Sequence, residues 1–339
     1  MRQVIMHAPG DVQVEDRDLP VLVEPTDAII RISASCICGS DLWPYRGAEP
    51  VDHQPMGHEY VGVVSEIGSE VYNIKVGDFV VGSFFASDNT CEICRAGYQS
   101  RCVHAQPIGQ LGTQAEYARI PLADGTLVAT PGQPDPELIP SLLAASDVLG
   151  TGWFAAVAAE AGPGKTVAVV GDGAVGLLGI LAAKQLGAER IIAMSRHADR
   201  QALALRFGAT DIVEERGDEG VARIKELTGG LGAHSTIEAV GTQESMTQAI
   251  RATRPGGHVG YVGVSHDVSL DGLELFFSGI HLHGGPAPVR RFLPELIQLI
   301  WDRTIDPGVV FDLTLPLERA AEGYRAMDER LATKVLLTG

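Results

Sequence analysis

The first 150 residues alternate between apolar and polar positions. VQVEDRDLP (12–20), AIIRISAS (28–35), EYVGVVSEIG (59–68) and DFVVGS (78–83) carry β-branched residues between Gly, Pro and Asp, the pattern of short strands joined by tight turns. From about Gly162 the texture changes. TVAVVG (166–171) is an apolar run suited to a buried strand, AVGLLGILAAKQLG (174–187) reads as a helix, and RIIAMS (190–195) as a second strand. Strand, helix and strand in about 30 residues make a βαβ unit of a parallel sheet. HSTIEAVG (234–241), the helical ESMTQAIRAT (244–253) and GHVGYVGV (257–264) repeat the theme. The tail is mixed: amphipathic FLPELIQLIWDR (292–303), helical ERAAEGYRAM (318–327) and a closing strand KVLLTG (334–339). Periodicity alone does not say what the tail packs against.

Length and composition narrow the class. At roughly 150 residues per domain, 339 residues suggest two domains. A 45% hydrophobic and 20% charged chain is globular rather than disordered. A net charge of −17 repels phosphate backbones, so no nucleic-acid partner is expected. No run of 18 apolar residues occurs, and the nearest, 166–183, is broken by Asp172, so no membrane span is expected. MRQVIMHAPGDVQVEDRD turns acidic at once and does not read as a secretory signal, which makes the cytoplasm the expected address. The five cysteines, Cys36, Cys38, Cys91, Cys94 and Cys102, fall in the first third. An odd, clustered set points to reduced thiols and metal rather than disulfides.

Gly171-Asp-Gly173-Ala174-Val175-Gly176 is G-x-G-x-x-G between a strand and a helix, the context a dinucleotide-binding loop requires. The first glycine permits the turn, the second admits a pyrophosphate, and the third lets helix pack on strand. The helix N-terminus then offers free N–H groups to the phosphates. The end of the next strand usually carries a carboxylate for the adenosine ribose. Here Ser195-Arg196-His197 stands instead. Arginine cannot accept from ribose hydroxyls but pairs well with a 2′-phosphate, which favours NADP(H) over NAD(H).

Cys38-Gly39-Ser40-Asp41 and, some 20 residues on, Gly57-His58-Glu59 supply donors suited to zinc. Asp147 is the candidate third ligand, or else a helix N-cap, since LGTGWFAAVAAEAG follows it. Three protein ligands leave a fourth position open, as a catalytic zinc requires. Cys36 reads as a core cysteine.

These motifs together resemble the zinc-dependent medium-chain alcohol dehydrogenases over essentially the whole chain, and most closely the NADP-dependent bacterial secondary alcohol dehydrogenases. The resemblance implies an α/β fold. A GroES-like β-rich catalytic domain would be built from 1–150 and 286–339, and a Rossmann doubly wound parallel sheet from 151–285. It implies zinc on Cys38, His58 and Asp147, and reversible hydride transfer between NADP+ and a small-molecule alcohol, secondary or apolar. The alternative is a polyol, formaldehyde-adduct or specialised-metabolite dehydrogenase using NAD(H). Ser40 would begin the proton path, Asp41 would orient His58, and Glu59 would stand behind the zinc as a mobile carboxylate. Thr151 would touch the nicotinamide, with Val240, Val262, Gly263 and Val264 around its ring and carboxamide. Ser195, Arg196 and Lys334 would approach the adenosine phosphate. A homodimer or homotetramer is implied, joined through the sheet edge near 281–288.

Cys91-x2-Cys94-x7-Cys102 resembles that family's structural-zinc lobe, with Asp88 where a fourth cysteine usually stands. It is either a second zinc site or a metal-free loop of reduced thiols. Trp43 replaces a histidine that relays the proton in many relatives. His53 is a substitute for it, and Trp43, Phe85 and Leu111 are candidate pocket walls. His7, His104, His234, His258, His266, His281 and His283 show no spacing that suggests a site.

Overall fold

The computed structural model describes residues 1–339. The chain divides into two units, Met1–Gly150 with Pro288–Gly339, and Thr151–Ala287. The second boundary falls two residues beyond the expected 285. No single helix is long and apolar enough to cross a membrane.

In the first unit a seven-stranded sheet runs Leu127–Ala129, Phe79–Gly82, Tyr60–Ile67, Ala28–Ile37, Val335–Thr338 and Leu313–Pro316, with Tyr117–Ile120 also paired to Ala28–Ile37. A three-stranded sheet holds Asp11–Asp16, Arg2–Ala8 and Gln54–Pro55. The central strand Ala28–Ile37 is buried along most of its length, hence the near-continuous apolar run AIIRISASCI. The tail returns to this unit. Val335 pairs antiparallel with Ile37 and Leu336 with Cys36, which sets Lys334 opposite the start of the Cys38 loop. Two apolar clusters flank the sheets. One joins Ile37, Leu42 and Met56 to Leu315, Tyr324 and Val335 from the tail; the other centres on Ile30, Tyr60, Val80 and Ile120. Burying a Leu or Ile in such a cluster stabilises by about 1.5–3 kcal/mol, so Leu315, Val335 and Leu337 tie the tail to this unit.

In the second unit six parallel strands lie in the order Asp211–Val213, Arg190–Met194, Thr166–Val170, Ala233–Glu238, Thr253–Tyr261 and His281–Gly284. The order reverses between Thr166–Val170 and Ala233–Glu238, the crevice where open α/β sheets bind ligands. The helices Ala198–Phe207 and Gly217–Leu227 were not separately legible in the sequence. Neither has the long apolar run that marks Ala174–Gln185, because each buries only one face.

Candidate active site

The strand Ala28–Ile37 ends beside Cys38, and the next three residues, Gly39–Asp41, form a 3₁₀ turn. That turn folds Asp41 back so that its Oδ2 accepts from the Cys38 N–H at 3.0 Å. Gln114 Nε2 donates to the same oxygen at 3.1 Å, and Tyr324 O–H donates to Gln114 Oε1 at 3.0 Å. Asp41 Oδ1 lies 3.6 Å from His58 Nδ1, while His58 Nε2 lies 3.2 Å from Asp147 Oδ2. The imidazole therefore stands between two carboxylates. Asp147 occupies the turn between the helices Ile139–Ala145 and Val148–Ala158, with its carboxylate directed at His58. Ligand atoms of Cys38, His58, Glu59 and Asp147 all fall within 4.8 Å of one another.

Electrostatics bears on what this cluster suits. Burial works against a charged His58, but the Cys38 sulfur and Asp147 outweigh it and hold the imidazole well above its usual basicity. Burial likewise pushes the Cys38 thiol and the Asp41 carboxyl up. Several anionic groups gathered in a low-dielectric site are held by protons unless a cation takes their place. One thiolate, one imidazole and one or two carboxylates form a donor set that fits zinc, with Asp41 available to the second imidazole nitrogen.

Behind this cluster lies a chain absent from the sequence reading. Glu59 is fully buried; Lys334 Nζ donates to its Oε1 at 2.5 Å, and the Cys36 thiol donates to its Oε2 at 3.1 Å. The expectation that Lys334 approaches an adenosine phosphate is corrected here. The lysine is 1% exposed and its charge is matched by Glu59. A buried ammonium needs that partner, and the pairing of Val335–Thr338 with Ala28–Ile37 leaves it no route to a solvent-facing anion. Glu59 is held at both oxygens rather than free to move. Ser40, in the same turn as Asp41, is half-buried.

His53 does not stand free as a proton carrier. Its Nδ1 lies 3.2 Å from His7 Nδ1, its Nε2 lies 3.2 Å from Arg17 Nη1, and His7 Nε2 lies 2.9 Å from Glu15 Oε1. Of the aromatic wall residues, it is the unpredicted Phe84 whose ring meets His58 edge-on, 6.2 Å between centroids, with Phe85 packed against Phe84. Leu111 packs against the cluster around Ile30 and Tyr60.

The second cysteine group is local in sequence. Ligand atoms of Asp88, Cys91, Cys94 and Cys102 lie within 4.8 Å of one another. Asp88 Oδ1 accepts from the Thr90 and Cys91 N–H groups at 2.8 and 2.9 Å, and its Oδ2 lies 2.7 Å from His104 Nδ1. Backbone N–H groups of Cys94 and His104 point at the Cys91 and Cys102 sulfurs. Three thiols and a carboxylate fit a tetrahedral cation, with N–H groups placed to stabilise thiolates. His104, passed over in the sequence, is the partner that orients Asp88.

In the second unit, Gly171 sits at φ +118°, and a Cβ on Gly176 would stand 2.0 Å from the Gly171 carbonyl oxygen, so no other residue fits there. Gly173 precedes the helix Ala174–Gln185, whose first residues are Ala174 and Val175. Ser195 is buried and donates to Asp172 Oδ2 at 2.8 Å, while Arg196 is exposed. Thr151 is buried; Val240 and Val264 are exposed, with Val262 and Gly263 beside them partly so. Glu238, unremarked in the sequence, orders those loops: its Oε1 accepts from Val240 N–H, Gly241 N–H and Ser245 Oγ at 2.9, 2.7 and 2.7 Å.

Comparison with known proteins gives the family. Residues 24–131 match the alcohol dehydrogenase GroES-like domain, and residues 174–302 match the zinc-binding dehydrogenase family. The zinc-type alcohol dehydrogenase B of Aspergillus flavus is 33% identical over 99% of this chain and 81% of its own length. A probable zinc-binding alcohol dehydrogenase of Mycobacterium tuberculosis is 37% identical over 96% of this chain and 84% of its own. The solved alcohol dehydrogenase of Thermus sp. ATN1 superimposes with a TM-score of 0.91 at 31% identity, covering 100% of this chain and 99% of that one. A parallel six-stranded sheet with its glycine loop, a β-rich unit carrying a buried Cys–His–Asp cluster, and relatives aligned end to end leave one conclusion: the chain belongs to the zinc-dependent medium-chain alcohol dehydrogenases and is an alcohol dehydrogenase.

Proposed function

We propose that the enzyme oxidises secondary or apolar alcohols with NADP+, and reduces the corresponding carbonyl compounds, using a zinc ion held by Cys38, His58 and Asp147. The observation that supports the cofactor choice is the end of the strand Arg190–Met194. Ser195 and the exposed Arg196 stand where a ribose-binding carboxylate would favour NAD(H). When bound, the zinc supplies Lewis-acid chemistry that lowers the pKa of a coordinated hydroxyl. The chain does the rest. Asp41 Oδ1 faces His58 Nδ1 at 3.6 Å, a placement that favours the proton on Nδ1 and leaves Nε2 for the metal. Ser40, one residue earlier on the same turn, would begin the proton path, accepting the alcohol proton as it passes its own hydroxyl proton on to water. Gly171, Gly173 and Gly176 admit the pyrophosphate to the helix N-terminus, and the backbone at Val240, Val262, Gly263 and Val264 frames the nicotinamide. Thr151 lies against that ring.

Phe84, whose ring meets that of His58 in a T-shaped contact, sets an apolar surface beside the cluster, which supports an apolar substrate. Asp88, Cys91, Cys94 and Cys102 hold a second, structural zinc. The protein assembles as a homodimer or homotetramer through the strand His281–Gly284. That strand is the edge of its sheet, and the helix Gly272–Ser278 preceding it leaves Leu273, Phe276 and Phe277 exposed.

The test is NADP+ and NAD+ reduction against primary, secondary and polyol alcohols, with zinc content measured on the same sample. Turnover with NADP+ on secondary alcohols, lost on chelation, is expected. A preference for NAD+, or turnover confined to polyols, would overturn the cofactor or the substrate assignment respectively.

A further inference from the structure

The corner at the end of the strand Arg190–Met194 holds more charge than the sequence motif suggested. Asp172, the second residue of the glycine loop, lies at its centre. Its Oδ2 accepts from Ser195 Oγ at 2.8 Å, and its Oδ1 accepts from Arg200 Nη1 at 3.2 Å. Arg216 reaches in from the residue before the helix Gly217–Leu227. Its Nη2 lies 3.8 Å from Asp172 Oδ2, and its Nη1 donates to the Met194 carbonyl at 3.4 Å. Arg196 stands next to Ser195. Two guanidinium groups from separate segments thus meet one carboxylate, and Arg196 adds a third cation close enough to oppose the charge on Arg216.

We propose that Arg200 and Arg216 complete, with Arg196, the site for the cofactor's 2′-phosphate, and that Asp172 fixes their positions; this rests on the NADP(H) reading above. Gathering like charges is unfavourable without an anion. Burial works against the charge on Arg216, and Arg196 adds to that opposition, while Asp172 offsets it only in part. The side chains of Arg200 and Arg216 are only 18% and 32% exposed, so water does not fully screen them. One carboxylate needs one cation, so its pairing does not account for three. A phosphate monoester carries about −1.5 to −2 at neutral pH and would offset cations gathered in this way. Each arginine spends only part of its five N–H groups on Asp172 and Met194, leaving fork donors for phosphate oxygens. A cofactor with a free ribose 2′-hydroxyl would leave the excess unneutralised.

The test is calorimetric binding of 2′,5′-ADP and of 5′-AMP to the full-length protein, which reads the corner without turnover. Wild type, Arg196→Ala, Arg200→Ala and Arg216→Ala are compared, with melting temperature recorded for each. Wild type is expected to bind 2′,5′-ADP at least about tenfold more tightly than 5′-AMP. Losing a charge-assisted hydrogen bond costs about tenfold or more in affinity, so Arg200→Ala and Arg216→Ala should each lower 2′,5′-ADP affinity by that factor. Affinity for 5′-AMP should stay within about twofold. If an alanine variant does not fold, the lysine variant keeps the charge, loses the fork, and is expected to lose several-fold on 2′,5′-ADP only. If Arg196→Ala abolishes the preference while the Arg200 and Arg216 variants keep it, the inference falls and the NADP(H) reading stands. If wild type does not distinguish the two nucleotides, that reading falls and takes this inference with it; Asp172 is then the acceptor for the ribose hydroxyl.

Discussion

Two cysteine clusters lie in the same unit, and they are built on different principles. The one around Cys38 draws on four distant stretches of chain: the end of Ala28–Ile37, the Gly57–Glu59 turn, the turn at Asp147, and the returning tail. It is buried, and its outer partners Asp41, Gln114, Tyr324, Lys334 and Cys36 are themselves buried and hydrogen-bonded. The one around Cys91 lies within residues 88–104, with Cys94 and Cys102 buried and Asp88 and Cys91 partly exposed, and is supported mainly by its own backbone N–H groups. The contrast separates a site whose geometry is imposed by the whole fold from one that organises a local loop. The first is suited to holding reacting atoms in register. The second is suited to stability, where a cation replaces the apolar core that a short lobe lacks.

The comparison can be broken most directly at the donors. Cys38→Ala or His58→Ala should lower kcat by about a thousandfold or more and remove one zinc per chain, since a catalytic metal contributes several kcal/mol to the transition state. Retained activity with either variant would remove the catalytic assignment. Cys94→Ser should do the opposite: it should lose the other zinc and lower the melting temperature by several degrees while leaving kcat within a few-fold. Loss of activity without loss of stability would make the lobe functional rather than structural.

The supporting groups sharpen the contrast. Lys334→Met leaves Glu59 buried without its cation, at a cost of about 3–5 kcal/mol, read as a lower denaturant midpoint. Unchanged NADP+ affinity in the folded fraction would agree with the buried placement of the lysine. A selective rise in KM for NADP+ would restore it to the cofactor. Asp41→Asn retains the shape but weakens the hold on His58, and should cost about 10–100-fold in activity or zinc affinity.

The smallest effect is a pH dependence. Burial pushes Asp88 up, but N–H groups of Thr90 and Cys91 and the His104 ring outweigh it and hold its carboxyl below the ordinary range. A carboxyl depressed on folding stabilises above its unfolded pKa, near 3.9, and loses that contribution as pH falls through the lower folded value. Asp88→Asn should therefore be less stable than wild type at neutral pH, with the gap closing in acid. A gap that widens in acid would contradict the assignment.

The legible parts of this molecule were those whose chemistry is local. Gly171, Gly173 and Gly176 are constrained by one turn, so their spacing shows in the sequence. Cys38–Asp41 and Gly57–Glu59 are compact donor motifs, and Cys91, Cys94 and Cys102 sit close together along the chain. What was hidden depends on register between distant segments. Lys334 meets Glu59 only because Val335 pairs with Ile37. Gln114 and Tyr324 reach Asp41 across separations of 73 and 283 residues. Arg200 and Arg216 lie in polar stretches indistinguishable from any solvated helix end until the sheet order brings them to Asp172. The strand Arg2–Ala8 was missed because RQVIMHA shows an apolar block rather than alternation.

The central claim is that Cys38, His58 and Asp147 hold the zinc on which alcohol oxidation depends, separately from the lobe. The most direct measurement is zinc per chain together with alcohol-dependent NADP+ reduction on wild type, Cys38→Ser and Cys94→Ser. Two zinc ions in wild type, one in each variant, and activity lost only in Cys38→Ser is the predicted result. Wild-type activity in Cys38→Ser, or its loss in a zinc-depleted but folded Cys94→Ser, would contradict it.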